Sequence, residues 1–232
     1  MAMIHLKNIK KTYYGKDVET KVLKGIDLEI EKGEFVCIFG TSGCGKSTLL
    51  NILGLLDQAT EEVYELEGTD VMKLGKNEGA AIRNQKIGFV FQAYHLIPEI
   101  NVLENIVVPL GYAGVPKKER EQAARKLLNE FGMAHLEKKY ISQMSGGEQQ
   151  RVSIMRAIVN NPSLLLADEP TGNLDKENTR KIMEILRKLN QEGMTIVMVT
   201  HDTELSQYAT RGYRLKKEES NVLCITFDCM LK

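Results

Sequence analysis

The chain has 232 residues, long enough to bury a substantial core as one large domain or two small ones. Lys+Arg and Asp+Glu balance at 31 each, with 43% hydrophobic residues, so no charge excess advertises nucleic acid or an anionic membrane. The longest apolar runs, such as FVCIF and LLLA, fall far short of the roughly eighteen residues a membrane-spanning helix needs.

In chain order, MAMIHLKNIKK lacks the apolar stretch of a signal peptide and alternates like a strand. GIDLEI alternates at Ile26, Leu28 and Ile30 and is followed by the turn EKGE, which predicts an antiparallel hairpin leading into FVCIFG. The run from Phe35 to Phe39 is apolar on both faces, as a buried parallel strand requires, and SLLLAD and TIVMVT read the same way. Residues 93–160 read as mainly helical, including KKEREQAARKLLNEFG with Gly132 as its stop. KENTRKIMEILRKLNQEG places Ile182, Met183, Leu186 and Leu189 on one helical face and ends at Gly193. This alternation predicts an α/β fold in one domain over residues 1–232. The four cysteines (Cys37, Cys44, Cys224 and Cys229) make no disulfide framework and point to a reducing cytoplasm, with a Cys224–Cys229 bridge as the alternative.

GTSGCGKS fills the pattern G-x-x-x-x-G-K-[ST] between a predicted strand and a predicted helix. Glycine geometry frees backbone N–H groups to wrap phosphates, and a helix N-terminus adds partial positive charge. Gly40, Thr41, Ser42, Gly43, Cys44, Gly45, Lys46, Ser47 and Thr48 are the candidate phosphate-binding residues. Lys46 would reach the β- and γ-phosphates and the Ser47 hydroxyl would ligate Mg²⁺. The bland reading is a strand–turn–helix that merely favours glycine. LLLADEPTGNLD supplies an acidic strand end, delivering Asp168 and Glu169 to the edge of the sheet where α/β ligands bind. Asp168 is the candidate Mg²⁺ carboxylate and Glu169 the residue that orients or deprotonates the attacking water. Alone, such a junction would be an ordinary solvated strand end.

With these two motifs and MSGGEQQR, the sequence resembles the ATP-binding subunit of an ABC transporter across nearly its whole length. The resemblance implies a P-loop NTPase fold with a RecA-like core, an antiparallel β subdomain and a helical subdomain at roughly 93–160. It makes Gln92 in FVFQ the Q-loop glutamine that senses Mg²⁺, His201 in VMVTHD the switch histidine and Asp175 the end of the D-loop. It also makes Tyr13 the aromatic that stacks on adenine, with Tyr14 as the adjacent alternative. DEPTGNLD and FVFQAYHLIPEINVLENIVVPL resemble the lipoprotein-release, macrolide-export and antimicrobial-peptide-transport branch. Met144 and Glu148 depart from the usual signature residues, ATEEVYELEG lacks a common glycine, and the tail after Arg214 lacks a glycine turn, predicting irregular last strands.

Ser145 and Glu148 have capping-box spacing, which accounts for a helix start but not for Gly146 and Gly147, since glycines weaken a helix. Bare backbone there suits close approach to phosphate. The resemblance puts the signature far from the phosphate loop of its own subunit. A head-to-tail pair of copies resolves this, with Ser145, Gly146, Gly147, Glu148 and Asp175 facing ATP held by the partner. The resemblance therefore implies ATP and Mg²⁺ as cofactors and, as partners, a second copy and an integral-membrane permease. It places the chain in the cytoplasm, on the inner face of the membrane through that permease. Residues 92–115, with Tyr94, Leu96, Ile97, Pro98 and Ile100, are the candidate permease contact, or else ordinary helical core. The rival functions are a soluble ATPase of this type acting on DNA or ribosomes and a regulatory module without turnover. The first usually carries coiled coils, a second ATPase domain or a basic arm, none of which reads out of this sequence. Against the second stand intact Lys46, Asp168, Glu169 and His201.

Overall fold

A computed structural model describes residues 2–15, 18–217 and 222–227. Strands β1 (Ala2–Tyr14) and β2 (Glu19–Glu31) pair antiparallel over most of their length. Each alternates: Ile4, Leu6 and Ile9 of β1 and Leu23, Ile26, Leu28 and Ile30 of β2 are buried, the mark of a sheet with one covered face. Strands β4 (Glu61–Leu66) and β5 (Thr69–Asp70) complete a four-stranded sheet in the order β2-β1-β4-β5.

The second sheet holds β3 (Phe35–Gly40), β6 (Ile87–Phe91), β7 (Leu164–Asp168), β8 (Thr195–Thr200), β9 (Arg211–Lys217) and β10 (Val222–Phe227). Its order is β10-β9-β3-β8-β7-β6, parallel except for the β9–β10 pair. The central strands β3, β7 and β8 are covered on both faces, which is why they read as unbroken apolar runs. Val36, Ile38, Leu166, Val197 and Val199 face helix α1 (Lys46–Leu53) and the antiparallel sheet. Phe35, Cys37, Leu165, Ile196 and Met198 pack on helices α5 (Gly146–Ile158) and α6 (Lys176–Gln191). A third apolar cluster is built wholly from residues 96–159. It joins helices α3 (Val102–Tyr112) and α4 (Lys117–Glu130) to the other side of α5. Helix α2 (Lys76–Lys86) leads into β6.

Two expectations need correction. The EKGE turn closes no hairpin: β2 pairs with β1 in one sheet, and β3 enters the other. A strand apolar on both faces must be covered on both faces, which the edge of a one-sided sheet cannot provide. The last strands are also regular, with β9 and β10 in unbroken register from Gly212–Phe227 to Lys217–Val222. Cys37 and Cys44 are buried, whereas Cys229, and with it the Cys224–Cys229 alternative, lies outside the described residues. Among the described residues no helix is long and apolar enough to cross a membrane.

Candidate active site

Parallel pairing carries the ends of four strands to one edge of the sheet. Phe39 is level with Thr200, Asp168 with Val199, and Phe91 with Asp168. Residues that follow these ends meet although they are far apart in sequence.

Beyond β3 the loop Gly40–Ser47 wraps back into α1. Gly43 and Gly45 adopt φ of 75° and 99°, and a Cβ on Gly45 would stand 2.9 Å from Leu23 Cδ2. Glycine is needed there for conformation and for space. Helix α1 begins at Lys46, so the first-turn N–H groups of Lys46, Ser47 and Thr48 have no acceptor within the helix. Lys46 is buried and its ammonium donates to the carbonyls of Gly40, at 2.7 Å, and Thr41, at 3.1 Å. A cation inside a ring of amide donors suits a polyphosphate.

The Ser47 hydroxyl lies 3.3 Å from Asp168 Oδ1. Burial raises the Asp168 carboxyl above its ordinary value and the neighbouring Glu169 adds to this, with Ser47 and Lys46 opposing. Burial therefore works against the ionised form of Asp168.

Glu169 sits in the left-handed region at φ 46°, which costs a residue with a Cβ about 1 kcal/mol or more. Its N–H donates to Val199 O at 3.0 Å, tying it to the end of β8. Its side chain is held at both oxygens: Oε1 lies 2.9 Å from His201 Nδ1, and Oε2 accepts from the Thr200 hydroxyl at 3.0 Å. The Thr200 oxygen accepts in turn from the Asp202 N–H at 3.1 Å. Gln92 follows β6, and its amide donates to Asn173 Oδ1 at 3.3 Å while Asn173 donates back to the Gln92 carbonyl at 3.1 Å. Lys46, Ser47, Thr48, Gln92, Glu169 and His201 line one cavity of about 420 Å³ with Ser42, Gly43 and Gly45.

Tyr13 stands at the end of β1 with its ring exposed, and its hydroxyl donates to Asp57 at 2.7 Å. Ser145, Gly146, Gly147, Glu148 and Asp175 do not line that cavity and form a second cluster. Ser145 caps α5 through a capping box, with its N–H 2.8 Å from Glu148 Oε2 and its hydroxyl 2.7 Å from the same oxygen. Asp175 caps α6, accepting from the Asn178 N–H and side-chain amide at 2.8 Å each. Asn178 then lies against Gly147, where a Cβ would collide with its side chain. Glycine at 147 is thus demanded within the chain, by helix–helix packing. Gly146 is less confined: a Cβ there would stand 2.9 Å from the Tyr94 hydroxyl and 3.7 Å from Leu174 Cδ2.

The same helix braces the segment after β6. Gln150 donates to Phe91 O at 3.4 Å, Ser153 to Tyr94 O at 3.2 Å and Arg156 to Tyr94 O at 2.8 Å. Tyr94 and His95 both have positive φ, so this strained backbone is held by donors spaced three apart on one helix face. Sequence reasoning missed Thr200, Asp57, Lys11, Asn173 and Asn178. Only Thr200, the polar end of an apolar strand, carried any signal.

A glycine-rich phosphate loop following a strand inside a parallel sheet, with paired carboxylates ending a nearby strand, defines a P-loop nucleoside triphosphatase. The chain belongs to the ABC transporter family, whose model matches residues 23–172, as one of its ATP-binding, ATP-hydrolysing cassettes. The lipoprotein-releasing system ATP-binding protein LolD of Aquifex aeolicus is 49% identical over 214 residues, 92% of this chain and 94% of that protein. The macrolide export ATP-binding/permease protein MacB of Syntrophobacter fumaroxidans is 47% identical over 220 residues, 93% of this chain but 31% of that protein. The chain therefore spans about a third of the macrolide export proteins it matches. A dimeric structure of the ATP-binding cassette MJ0796 bound to ADP and Pi superposes with a TM-score of 0.88 at 39% identity, covering 98% of this chain and 99% of that one.

Proposed function

We propose that this chain hydrolyses ATP at a site completed by a second copy of itself, and that turnover drives export or release of a substrate through a separate integral-membrane permease. The carrying observation is the convergence of Lys46, Ser47, Gln92, Glu169 and His201 on one cleft. Lys46 and the loop amides bind the phosphates. Tyr13 meets the adenine. Glu169 accepts the proton of the attacking water, and its strained backbone and two side-chain contacts orient it for that role. His201 stands at the γ-phosphate end beside it.

Hard oxygen donors at Ser47 and Asp168, and a carboxyl whose ionisation burial opposes, fit Mg²⁺. Those two residues and Gln92 would hold it, and it would neutralise charge on the phosphates. The signature cluster at Ser145–Glu148, with Asp175 beside it, lies outside its own chain's phosphate cavity, so it is available to a partner's nucleotide. The dimeric state of MJ0796 supports that arrangement by likeness.

The permease contact is assigned to the face around residues 92–115. A groove of about 830 Å³ between α2 and α3 takes His95, Val108, Pro109 and Tyr112 from that stretch, though not Tyr94, Leu96, Ile97, Pro98 or Ile100. It exposes Leu56 and Tyr112 and is lined by Arg83 and Arg156, with no carboxylate among its described residues. An apolar permease segment with acidic flanks fits it. Attachment through that partner puts the chain on the cytoplasmic face of a membrane. An ATPase assay on the purified protein tests the chemistry, and absence of turnover under permease-reconstituted conditions overturns it. A pull-down from detergent extract tests the partner, and recovery of ribosomes or DNA in its stead favours the rival reading.

A further inference from the structure

Beside Tyr13 lies an arrangement that phosphate chemistry does not use. The Tyr13 hydroxyl donates to Asp57 Oδ2 at 2.7 Å, and the Lys11 ammonium donates to Asp57 Oδ1 at 2.6 Å. The same ammonium stands over the Tyr13 ring, 4.8 Å from its centroid, and donates to the Gln58 carbonyl at 2.8 Å. Side-chain exposures of 12% for Lys11 and 27% for Asp57 set this pair apart from a freely solvated ion pair, which would contribute little. Desolvation pushes the Asp57 carboxyl up, but Lys11, Tyr13 and the Gln58 N–H outweigh it and hold it below the usual range. Desolvation, then Asp57, raises the Tyr13 phenol, which keeps its proton and donates.

Asp57 is placed by the phosphate-loop helix. The amides of Leu56 and Asp57 both bond back to the Asn51 carbonyl, at 2.8 and 3.2 Å, just beyond the last turn of α1. The helix that starts at Lys46 in the phosphate loop therefore ends by gripping Tyr13. A second latch joins the same segments, Thr60 N–H to Lys10 O at 2.8 Å and Thr12 N–H to the Thr60 hydroxyl at 3.0 Å.

We propose that Asp57 and Lys11 are positioning residues that hold Tyr13 as a one-sided platform for the adenine base, at a distance from the phosphate loop set by α1. The ammonium occupies one face of the ring, leaving the other to stack with a purine. Tyr13 is 42% exposed at a strand end, so without these contacts its ring would have to be ordered on binding, which costs affinity. The proposal rests on the ATP reading above.

The test uses the full chain and measures KM and kcat for ATP, with inorganic tripolyphosphate as a competing ligand that has phosphates and no base. Asp57→Ala is expected to raise KM about fivefold, the scale of one hydrogen bond, with kcat within about twofold and tripolyphosphate inhibition unchanged. Tyr13→Phe, which keeps the ring and loses the anchor, should raise KM alike, and the double variant should be no worse than either single one. Asp57→Asn retains an acceptor for the phenol and should recover most of the affinity. An unchanged KM in Asp57→Ala overturns the proposal, as does an equal loss for tripolyphosphate, which would make Asp57 a support of α1 alone. If Asp57→Ala does not fold, the exposed Tyr13→Phe decides by the same split. Wild-type protein that fails to bind ATP sinks the ATPase reading itself, before any variant is compared.

Discussion

Glu169 Oε1 stands 2.9 Å from His201 Nδ1 across the ends of two neighbouring strands. Because Glu169 is held in the left-handed region and fastened at both oxygens, its direction is set before substrate arrives. Glu169→Gln keeps the shape but cannot take a proton. Turnover should fall by at least about a hundredfold while ATP still binds, and the variant should elute as a dimer with ATP and a monomer without it. A variant that stays monomeric at saturating ATP counts against the shared site. His201→Ala should lower kcat far more than it weakens ATP binding; equal losses would make His201 a structural residue.

Thr200 is 1% exposed, and its hydroxyl both donates to Glu169 and accepts from the Asp202 N–H. Thr200→Val keeps the volume and removes both bonds. We expect kcat to fall about tenfold with ATP affinity retained, alongside a stability loss of about 1–2 kcal/mol from the orphaned N–H. Thr200→Ser should restore kcat. Steady-state kinetics with a thermal melt separates the two effects, and an unchanged kcat removes Thr200 from the positioning role.

Asp168 gives a pH test. Its folded pKa is raised, chiefly by desolvation, so its ionised form disfavours the folded state. The neutral form carries no such penalty, and the folded chain loses this advantage as pH rises through the folded pKa. Without nucleotide or metal, Asp168→Asn should therefore raise Tm near pH 7, with the gain vanishing below the ordinary carboxylate range. Saturating Mg²⁺ and ATP should reverse the order, since only the carboxylate gains from the cation. A variant less stable than wild type at pH 7 in the bare protein would refute the penalty.

Mixing two inactive variants tests the shared site. Lys46→Ala ruins a chain's own phosphate loop. Gly146→Asp places a carboxylate where its signature should meet the partner's phosphate, at a position where a Cβ comes under 3.0 Å from the Tyr94 hydroxyl alone. Random pairing makes about half the dimers mixed, and in each of these one site takes both defects and the other neither, so about a quarter of all sites are intact. Recovered ATPase activity supports the shared site. If mixed dimers form and one intact site is shown to suffice, yet activity stays at zero, the hypothesis fails.

What the sequence determined by itself is what consecutive residues build. The phosphate loop is a run of neighbours, so GTSGCGKS by itself reports its strand–loop–helix conformation. The capping box at Ser145–Glu148 and the apolar runs of β3, β7 and β8 are local in the same sense. Packing decided the rest. EKGE is a turn in sequence, yet only the covering of both faces of β3 sent that strand to the other sheet. Gly147 looks like an opening for a phosphate until Asn178, 31 positions on, is found against it. Tyr13 and Asp57 are 44 positions apart, and nothing in either neighbourhood announces the other. Their meeting depends on where β1 ends relative to the end of α1. Local backbone preferences are carried by spacing, but side-chain partners across a sheet edge are chosen by strand order and helix length, which exist only once the chain has folded.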